Sequence, residues 1–276
     1  MTIYSAAAIN RRKTFFIIFL FIVFFLTVSY ILGKASTGYG IEITGFMFVI
    51  SGIISFFSYY YSDKIVLSMS RAHIVDPKNY RELHNTMQNL TIATGLPMPK
   101  LYLIEDLAPN AFATGRDPKH AAVAVTAGLL QKLTSAELEG VLAHELSHVK
   151  NYDTRLMGVM SVLVGTIAIA ADIFLRTRLF GDRKSSGPFL ILAIAVSILA
   201  PIAATLMQLA LSRKRELLAD ADGVLVTRYP EGLALALEKI GKDKTPLQHA
   251  SASTAHFYIE DPFRDSKGSW IAGLFN

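Results

Sequence analysis

Long runs of apolar residues alternate with polar segments along this chain of 276 residues. The first two runs, residues 14–32 and 41–61, each contain the roughly 20 apolar residues that a helix needs to cross a hydrocarbon core about 30 Å thick. The second run ends in three consecutive tyrosines, which are typical of a membrane surface. Residues 1–62 are therefore predicted to form a transmembrane hairpin of two helices.

Two further apolar runs, residues 156–175 and 189–211, follow the polar middle of the chain. The loop between them carries four basic residues, whereas basic residues of short loops usually stay on the cytoplasmic side. This bias favours a hairpin that packs inside the protein or dips into the bilayer, while the length of the second run favours a span. The sequence leaves both alternatives open and predicts up to four transmembrane helices. Whether this pair crosses the membrane twice or not at all, the segments before and after it lie on the same side of the membrane.

The polar segment between the two pairs predicts a small α+β domain. Amphipathic spacing predicts a helix over residues 79–94. Alternating apolar positions predict three short strands, at residues 100–104, 110–115 and 121–126. Thr134 followed by Glu137 is a capping-box pattern, and apolar positions at helical spacing then continue to about Lys150. Beyond the second pair, two more helices are predicted, at residues 214–227 and 231–240.

Charge and cysteine content indicate the membrane orientation, the partners and the compartment of the chain. Arg11, Arg12 and Lys13 precede the first apolar run and only Lys34 follows it, so the amino terminus is predicted to be cytoplasmic. The net charge of +5 is explained by such membrane flanks, and nucleic acid is not expected as a partner. The absence of cysteine excludes disulfides, so the bulk of the chain need not face an oxidising compartment.

The predicted helix that ends near Lys150 contains an H-E-x-x-H motif, with His144, Glu145 and His148. Residues four apart share a helix face, so both imidazoles can bind one Zn²⁺ at about 2.0 to 2.1 Å. Glu145 is placed to take a proton from a water whose pKa zinc lowers. The alternative is a polar helix face with two solvated histidines. Apolar flanks favour a half-buried helix instead, in which histidines need partners.

A catalytic zinc ion needs a third protein ligand and one open position. Glu216 and Asp220, after the second apolar pair, are one helical turn apart and can face the same site. One can serve as the ligand, and Asp220 can accept the free N–H of a ligand imidazole and fix its tautomer. The alternative is an interfacial helix with solvated, paired charges. Asp153, just after the motif helix, either braces that helix or begins a turn at the membrane.

In their order along the chain these features resemble the HtpX family of membrane metallopeptidases, to which the CAAX prenyl proteases are distantly related. The likeness includes the R-x-x-E-x-x-A-D pattern from Arg213, N-A-F-A-T-G at residues 110–115 and H-E-L-S-H-V-K-N-Y-D at residues 144–153. It implies zinc-dependent endoproteolysis of membrane or misfolded proteins in bacterial quality control, at a site that faces the cytoplasm. The ligands it implies are His144, His148 and Glu216, with Glu145 as the base.

The resemblance also suggests a role for the strand that begins at residue 110. An exposed strand edge beside the metal can bind an extended polypeptide as an additional strand, through main-chain hydrogen bonds. The residues predicted to do so are Asn110, Ala111, Phe112 and Ala113. The alternative is an ordinary hairpin edge.

Family members continue beyond a stretch similar to residues 274–276, at which this chain stops. We therefore expect a histidine or arginine that stabilises the oxyanion to be missing here. His256 could take its place, although a packed or solvated histidine is the favoured alternative.

The sequence thus predicts a mainly α-helical, multi-pass membrane protein with an α+β, gluzincin-like catalytic domain. The N-terminal hairpin comprises residues 1–62, and the second apolar hairpin comprises residues 156–211. The catalytic domain is formed by residues 63–155 and 212–276, which lie before and after the second hairpin. The lipid bilayer and polypeptide substrates are the expected partners, and one Zn²⁺ per chain is the expected cofactor. The main alternative is a non-catalytic membrane adaptor with structural zinc, which needs a fourth protein ligand. A transporter is less favoured, because the apolar runs contain few charges.

Overall fold

The computed structural model describes residues 3–36, 40–180, 213–248 and 257–259. Two long helices come first, α1 (Ile3–Ser36) and α2 (Gly40–Met69), and they pack against each other. They contain two candidate membrane spans, Ala6–Ile31 and Thr44–Met69, whose most apolar segments are only 22% and 17% buried. Most of their apolar side chains are therefore left for lipid to cover. The prediction of two apolar helices is confirmed, and α2 continues past residue 62 to Met69.

Four strands form one mixed sheet in the order β1-β2-β4-β3. They are β1 (His73–Ile74), β2 (Lys100–Ile104), β3 (Ala111–Gly115) and β4 (Ala121–Thr126). Strand β2 is parallel to β4, and the β1–β2 and β3–β4 pairs are antiparallel. The three predicted strands are confirmed, whereas β1 is too short to leave an alternating pattern. Strand β3 is the edge strand nearest the candidate site.

The remaining described helices are α3 (Arg81–Thr94), α4 (Ala127–Lys132), α5 (Ser135–Lys150), α6 (Asp153–Phe180), α7 (Arg213–Thr227) and α8 (Pro230–Lys242). A short 3₁₀ turn, Pro118–His120, joins β3 to β4. The apolar run at residues 156–175 lies within α6. The run at residues 189–211 lies outside the described residues, so the number of membrane crossings stays a prediction.

Strands β2, β3 and β4 are covered on both faces of the sheet, and their side chains alternate between two apolar clusters. Ala111 and Val123 belong to the cluster formed with α3, α5 and α8. Phe112 and Ala124, one position further along their strands, belong to the cluster formed with α1, α2 and α6. Helices α2 and α6 therefore pack directly on the sheet, with α5 on the opposite face. The predicted α+β domain, mainly helical and with a small sheet, is confirmed.

Helix α5 begins with the predicted capping box. The carboxylate of Glu137 accepts a hydrogen bond of 2.8 Å from the backbone N–H of Thr134, and Lys239 of α8 donates to the same oxygen at 2.7 Å. Burial alone would raise the pKa of Glu137, but Lys239 and Thr134 outweigh burial and lower the pKa. These bonds fix the start of α5 against α8.

Glu137→Ala is expected to lower the free energy of unfolding by about 1 to 2 kcal/mol at neutral pH, because α5 loses a cap and an ion pair. Glu137→Gln should cost less, since its amide oxygen can still accept from Thr134. The folded-state pKa of Glu137 is lowered from its ordinary value of 4.5. The stability that the wild type gains over Glu137→Gln is therefore fully present when the pH is above that ordinary value. It is lost as pH falls through the lower, folded-state pKa. Thermal unfolding of the detergent-solubilised wild type and Glu137→Gln across this pH range measures the difference in their stability. A difference that grows as the pH falls would contradict this role of Glu137.

Candidate metal centre

Helix α5 places its two histidines on one buried face. The helix is buried along most of its length, because it packs against the sheet, α3, α7 and α8. His144 and His148 are 4% and 6% exposed, and their Nε2 atoms lie 3.1 Å apart. Both rings therefore point to the same spot, as the four-residue spacing predicts.

Helix α7 brings a carboxylate to the two rings. Atom Oε2 of Glu216 lies 3.7 Å from Nε2 of His144 and 3.4 Å from Nε2 of His148. Each of the three residues offers one ligand atom, and these atoms all lie within 4.8 Å of one another. Although residues 144 and 216 are far apart in sequence, the fold thus assembles the predicted set of three ligands.

Two contacts fasten α7 to α5. At Gly223 the helices come so close that a Cβ would lie 3.2 Å from the backbone nitrogen of His144. The carboxylate of Asp222 accepts hydrogen bonds from Ser147 at 3.2 Å and from Asn151 at 3.3 Å. Sequence reasoning misses Asp222, because it belongs to no motif with a known chemical role. Its bonds hold the helix of Glu216 beside the helix of the histidines.

A carboxylate holds each imidazole from behind. Atom Nδ1 of His144 lies 2.9 Å from Asp220, and Nδ1 of His148 lies 3.0 Å from Asp153. A carboxylate accepts the Nδ1 hydrogen, so Nε2 of a neutral imidazole carries the lone pair. Two such lone pairs 3.1 Å apart need a proton or a metal cation between them. Two ligands of a tetrahedral zinc ion are about 3.3 Å apart, so this donor set of two nitrogens and one oxygen fits zinc.

The charges of the cluster are mutually dependent. Burial alone would lower the pKa of His148, but hydrogen bonds to Asp153 and Glu216 outweigh it and raise the pKa to about 10. The same balance, with Asp220 and Glu216 as partners, raises the pKa of His144. Burial would raise the pKa of Glu216, yet the two histidines lower it well below its ordinary value. The carboxylates thus favour positive charge at the centre, from either protons or a metal cation.

Glu145 lies within the same buried region and also contacts the sheet. It is 2% exposed, and the backbone N–H of Ala113 lies near enough to favour the charged form of its carboxylate. Burial raises the pKa of Glu145, whereas the two motif histidines oppose that shift. The glutamate of the motif therefore lies between the metal ligands and β3.

Strand β3 lies at the edge of the sheet, but residues 257–259 cover part of it. The backbone N–H of Ile259 donates to the carbonyl oxygen of Ala111 at 3.2 Å. The rings of Phe257 and Tyr258 pack against Phe112, with centroids 5.8 and 5.2 Å apart. The residues predicted to bind substrate are at most 4% exposed: Asn110, Ala111, Phe112 and Ala113. Part of this edge is thus covered by a segment from a distant part of the chain, and the binding of substrate there stays a prediction.

Other histidines have different partners. His73 lies 3.5 Å from Glu105, and His120 lies 2.7 Å from Asp117. His256, the suggested stabiliser of an oxyanion, lies outside the described residues.

Asp153 agrees with the first of its two alternatives, since it contacts the motif helix and begins a helix and not a turn. It is the first residue of α6 and, at 2% exposed, it also braces His148 from behind. Its other carboxylate oxygen lies 3.5 Å from Nη1 of Arg215 on α7. Asp153 therefore connects α5, α6 and α7 next to the metal ligands.

A buried H-E-x-x-H helix that packs on an edge strand, together with a glutamate from a second helix beside its two histidines, is typical of a metallopeptidase. Comparison with known proteins agrees, since residues 77–257 match the model of peptidase family M48. A protease HtpX homologue of Tropheryma whipplei (strain Twist) is 44% identical over 262 residues, which cover 94% of this chain and 89% of that protein. The homologue of Listeria monocytogenes serotype 4a (strain HCC23) is 40% identical over 296 residues, with 99% and 95% covered. The homologue of Pyrococcus furiosus is 46% identical over 221 residues, with 79% and 76% covered.

The chain therefore belongs to peptidase family M48, as a homologue of the HtpX proteases. With the cluster of His144, His148 and Glu216, it is a zinc metallopeptidase of that family.

Proposed function

We propose that this metallopeptidase cleaves unfolded or membrane-inserted polypeptides at the cytoplasmic surface of the membrane, with His144, His148 and Glu216 as the ligands of one zinc ion. The observation that carries the proposal is the pair of Nε2 atoms 3.1 Å apart that face Glu216. Within the described ranges, the group offers three protein ligands. Three ligands leave one tetrahedral position for water or substrate, whereas a structural site in an adaptor needs a fourth.

Glu145 acts as the general base and acid of the reaction. Zinc, when bound, supplies a Lewis acid that lowers the pKa of water and polarises the peptide carbonyl. Glu145 accepts the proton of the attacking water and passes it to the leaving amine. What supports this role is its buried place directly after His144, near the backbone N–H of Ala113 on the edge strand.

Asp220 and Asp153 orient the two imidazoles. Each accepts the Nδ1 hydrogen of one histidine, at 2.9 Å for His144 and 3.0 Å for His148. Both Nε2 atoms are thereby kept as lone-pair donors, and the rings are held in one orientation. This geometry supports the assignment of Asp220 as a partner of a ligand rather than as a ligand itself.

Extended substrate binds along the outer edge of β3. Along an antiparallel edge strand, successive residues direct their peptide groups alternately towards the paired strand and towards the open edge. Ala111 faces the outer edge, because it accepts from Ile259, and Ala113, two residues further along the strand, faces the same edge. A substrate strand therefore replaces Ile259 at Ala111 and leads directly to Glu145. Binding through main-chain atoms selects extended polypeptide more than it selects particular side chains.

The position of the centre beside a candidate membrane span supports substrates in or near the membrane. Asn10, which lies within the span Ala6–Ile31, donates a 2.7 Å hydrogen bond to Asp153. Asp153 in turn contacts His148. The metal ligands are thus two hydrogen bonds away from a helix long and apolar enough to cross the bilayer.

Digestion of casein beside a tightly folded soluble protein tests the substrate class. The detergent-solubilised chain, loaded with zinc, is expected to cleave casein and to leave the folded protein intact, because only the unfolded chain can add a strand to β3. Equal cleavage of both proteins would contradict the proposed selection of extended polypeptide.

Cysteine labelling tests the cytoplasmic orientation, since the wild-type chain has no cysteine. Glu231→Cys, at an exposed position of α8, should react with a membrane-impermeant maleimide only after the cells are lysed. Lys34→Cys, near the end of α1, should react in intact cells, because the basic residues before the span keep the amino terminus inside. The reverse pattern would place the catalytic domain outside the cytoplasm.

A further inference from the structure

Asn10 is a buried polar residue of α1 that the catalytic proposal does not require. It is 3% exposed, although Arg11 and Arg12 beside it are exposed. Its side-chain amide donates one hydrogen bond to the carbonyl oxygen of Asn151 at 2.9 Å and one to Asp153 at 2.7 Å. Both hydrogens of the amide are thereby directed to the short connection between α5 and α6.

This connection follows the metal ligand His148 directly. Asn151 caps the end of α5, Tyr152 has a φ angle of 58°, and Asp153 begins α6. A positive φ is unfavourable for a residue with a Cβ, and such a conformation persists only where neighbouring contacts hold it. Asn10 bonds to the residues on both sides of Tyr152 and so holds the connection in place.

The same carboxylate joins Asn10 to the metal site. One oxygen of Asp153 accepts from Asn10, and the other lies 3.0 Å from Nδ1 of His148. Asp153 is 2% exposed, and a buried carboxylate is costly unless several donors satisfy it. Without Asn10, Asp153 would lose a donor and the freedom of its side chain would increase.

We propose that Asn10 is a positioning residue for the zinc ligand His148, so that zinc affinity depends on the docking of α1 against the α5–α6 connection. The inference rests on the proposed function only in taking His148 as a ligand. It assigns the apolar N-terminal helix a part in metal binding in addition to anchoring. An ordinary packing role for Asn10 would instead affect the stability of the protein without a specific effect on zinc.

The full-length protein in detergent, freed of zinc by a chelator, tests the inference by titration against a zinc-binding dye. Asn10→Ala should weaken zinc binding about 10- to 100-fold, the range typical of groups that orient metal ligands. Asn10→Gln, which keeps an amide, should recover part of the affinity. The absorption spectrum of the cobalt-substituted protein should change in Asn10→Ala, because the orientation of His148 changes.

Thr14→Val is the matched control. Thr14 is fully buried one turn further along α1, and its hydroxyl donates to the backbone carbonyl of Asn10 rather than to Asp153. This variant should melt at a lower temperature to a similar extent as Asn10→Ala, yet bind zinc with wild-type affinity. If Asn10→Ala does not fold, Asn10→Ser replaces it in the same titration.

Wild-type zinc affinity in the Asn10 variants would overturn the inference, as would an equal loss of affinity in Thr14→Val. Either result leaves the proposed function intact, provided that the wild-type chain still binds zinc and cleaves casein. Failure of the wild-type chain to bind zinc would overturn the proposed function itself.

Discussion

A Glu145→Gln variant is expected to cleave polypeptide roughly a hundred to ten thousand times more slowly than the wild-type chain, while it binds the same amount of zinc. The amide keeps the size and shape of the side chain but cannot accept the proton of the attacking water. Glu145 contacts the backbone of Ala113, and its carboxylate is not one of the three grouped ligands. Zinc content should therefore be unaffected. Cleavage of casein and zinc per chain are measured on the same samples.

Glu139→Gln provides the control for this variant. It makes the same chemical change on the same helix, at a half-buried position outside the group of metal ligands. Its cleavage rate should equal that of the wild type. A Glu145→Gln variant that cleaves at the wild-type rate would remove Glu145 from the mechanism.

Glu216→Gln is expected to lose zinc as well as cleavage, whereas Glu145→Gln loses cleavage alone. The carboxylate of Glu216 lies 3.4 and 3.7 Å from the two imidazole nitrogens and contributes the negative charge of the ligand set. An amide oxygen is a much weaker ligand for Zn²⁺, so affinity should fall by more than the roughly 100-fold seen when an outer partner is lost. At equal concentrations of zinc and protein, cleavage of casein should fall to background.

The control for Glu216→Gln is Glu231→Gln, at an exposed position of α8. It should keep both zinc and activity. A Glu216→Gln variant that retained zinc and lost only cleavage would make Glu216 a catalytic residue and not a ligand. The two glutamates are thus distinguished by zinc content alone.

Local sequence patterns predict the elements of this fold well, because their causes are local. The strands at residues 100–104 and 121–126 agree with the structure residue for residue, and helix α5 begins at the predicted capping box. The third strand begins one residue later than predicted. At Asn110 the backbone N–H is bonded to the hydroxyl of Thr126, and its own side chain accepts from Ala111. These side-chain bonds end the regular ladder.

The site was predictable as far as it depends on helical spacing. His144 and His148 share a face because they are four residues apart, and Glu216 and Asp220 do so for the same reason. Contacts between distant segments left no such pattern. Asn10 meets Asp153 across 143 positions of sequence, and Ile259 covers Ala111 from near the end of the described chain. These contacts depend on how α1, the sheet and the connection after α5 pack in three dimensions.

The central claim is that one zinc ion, bound by His144, His148 and Glu216, makes this chain a peptidase. The most direct test is to remove all metal from the detergent-solubilised wild-type protein, add zinc stepwise and follow cleavage of casein against zinc bound per chain. Cleavage should be absent without zinc, rise in proportion to the bound zinc and reach its maximum at one ion per chain. Cleavage by the metal-free protein, or a fully zinc-loaded protein without activity, would contradict the claim.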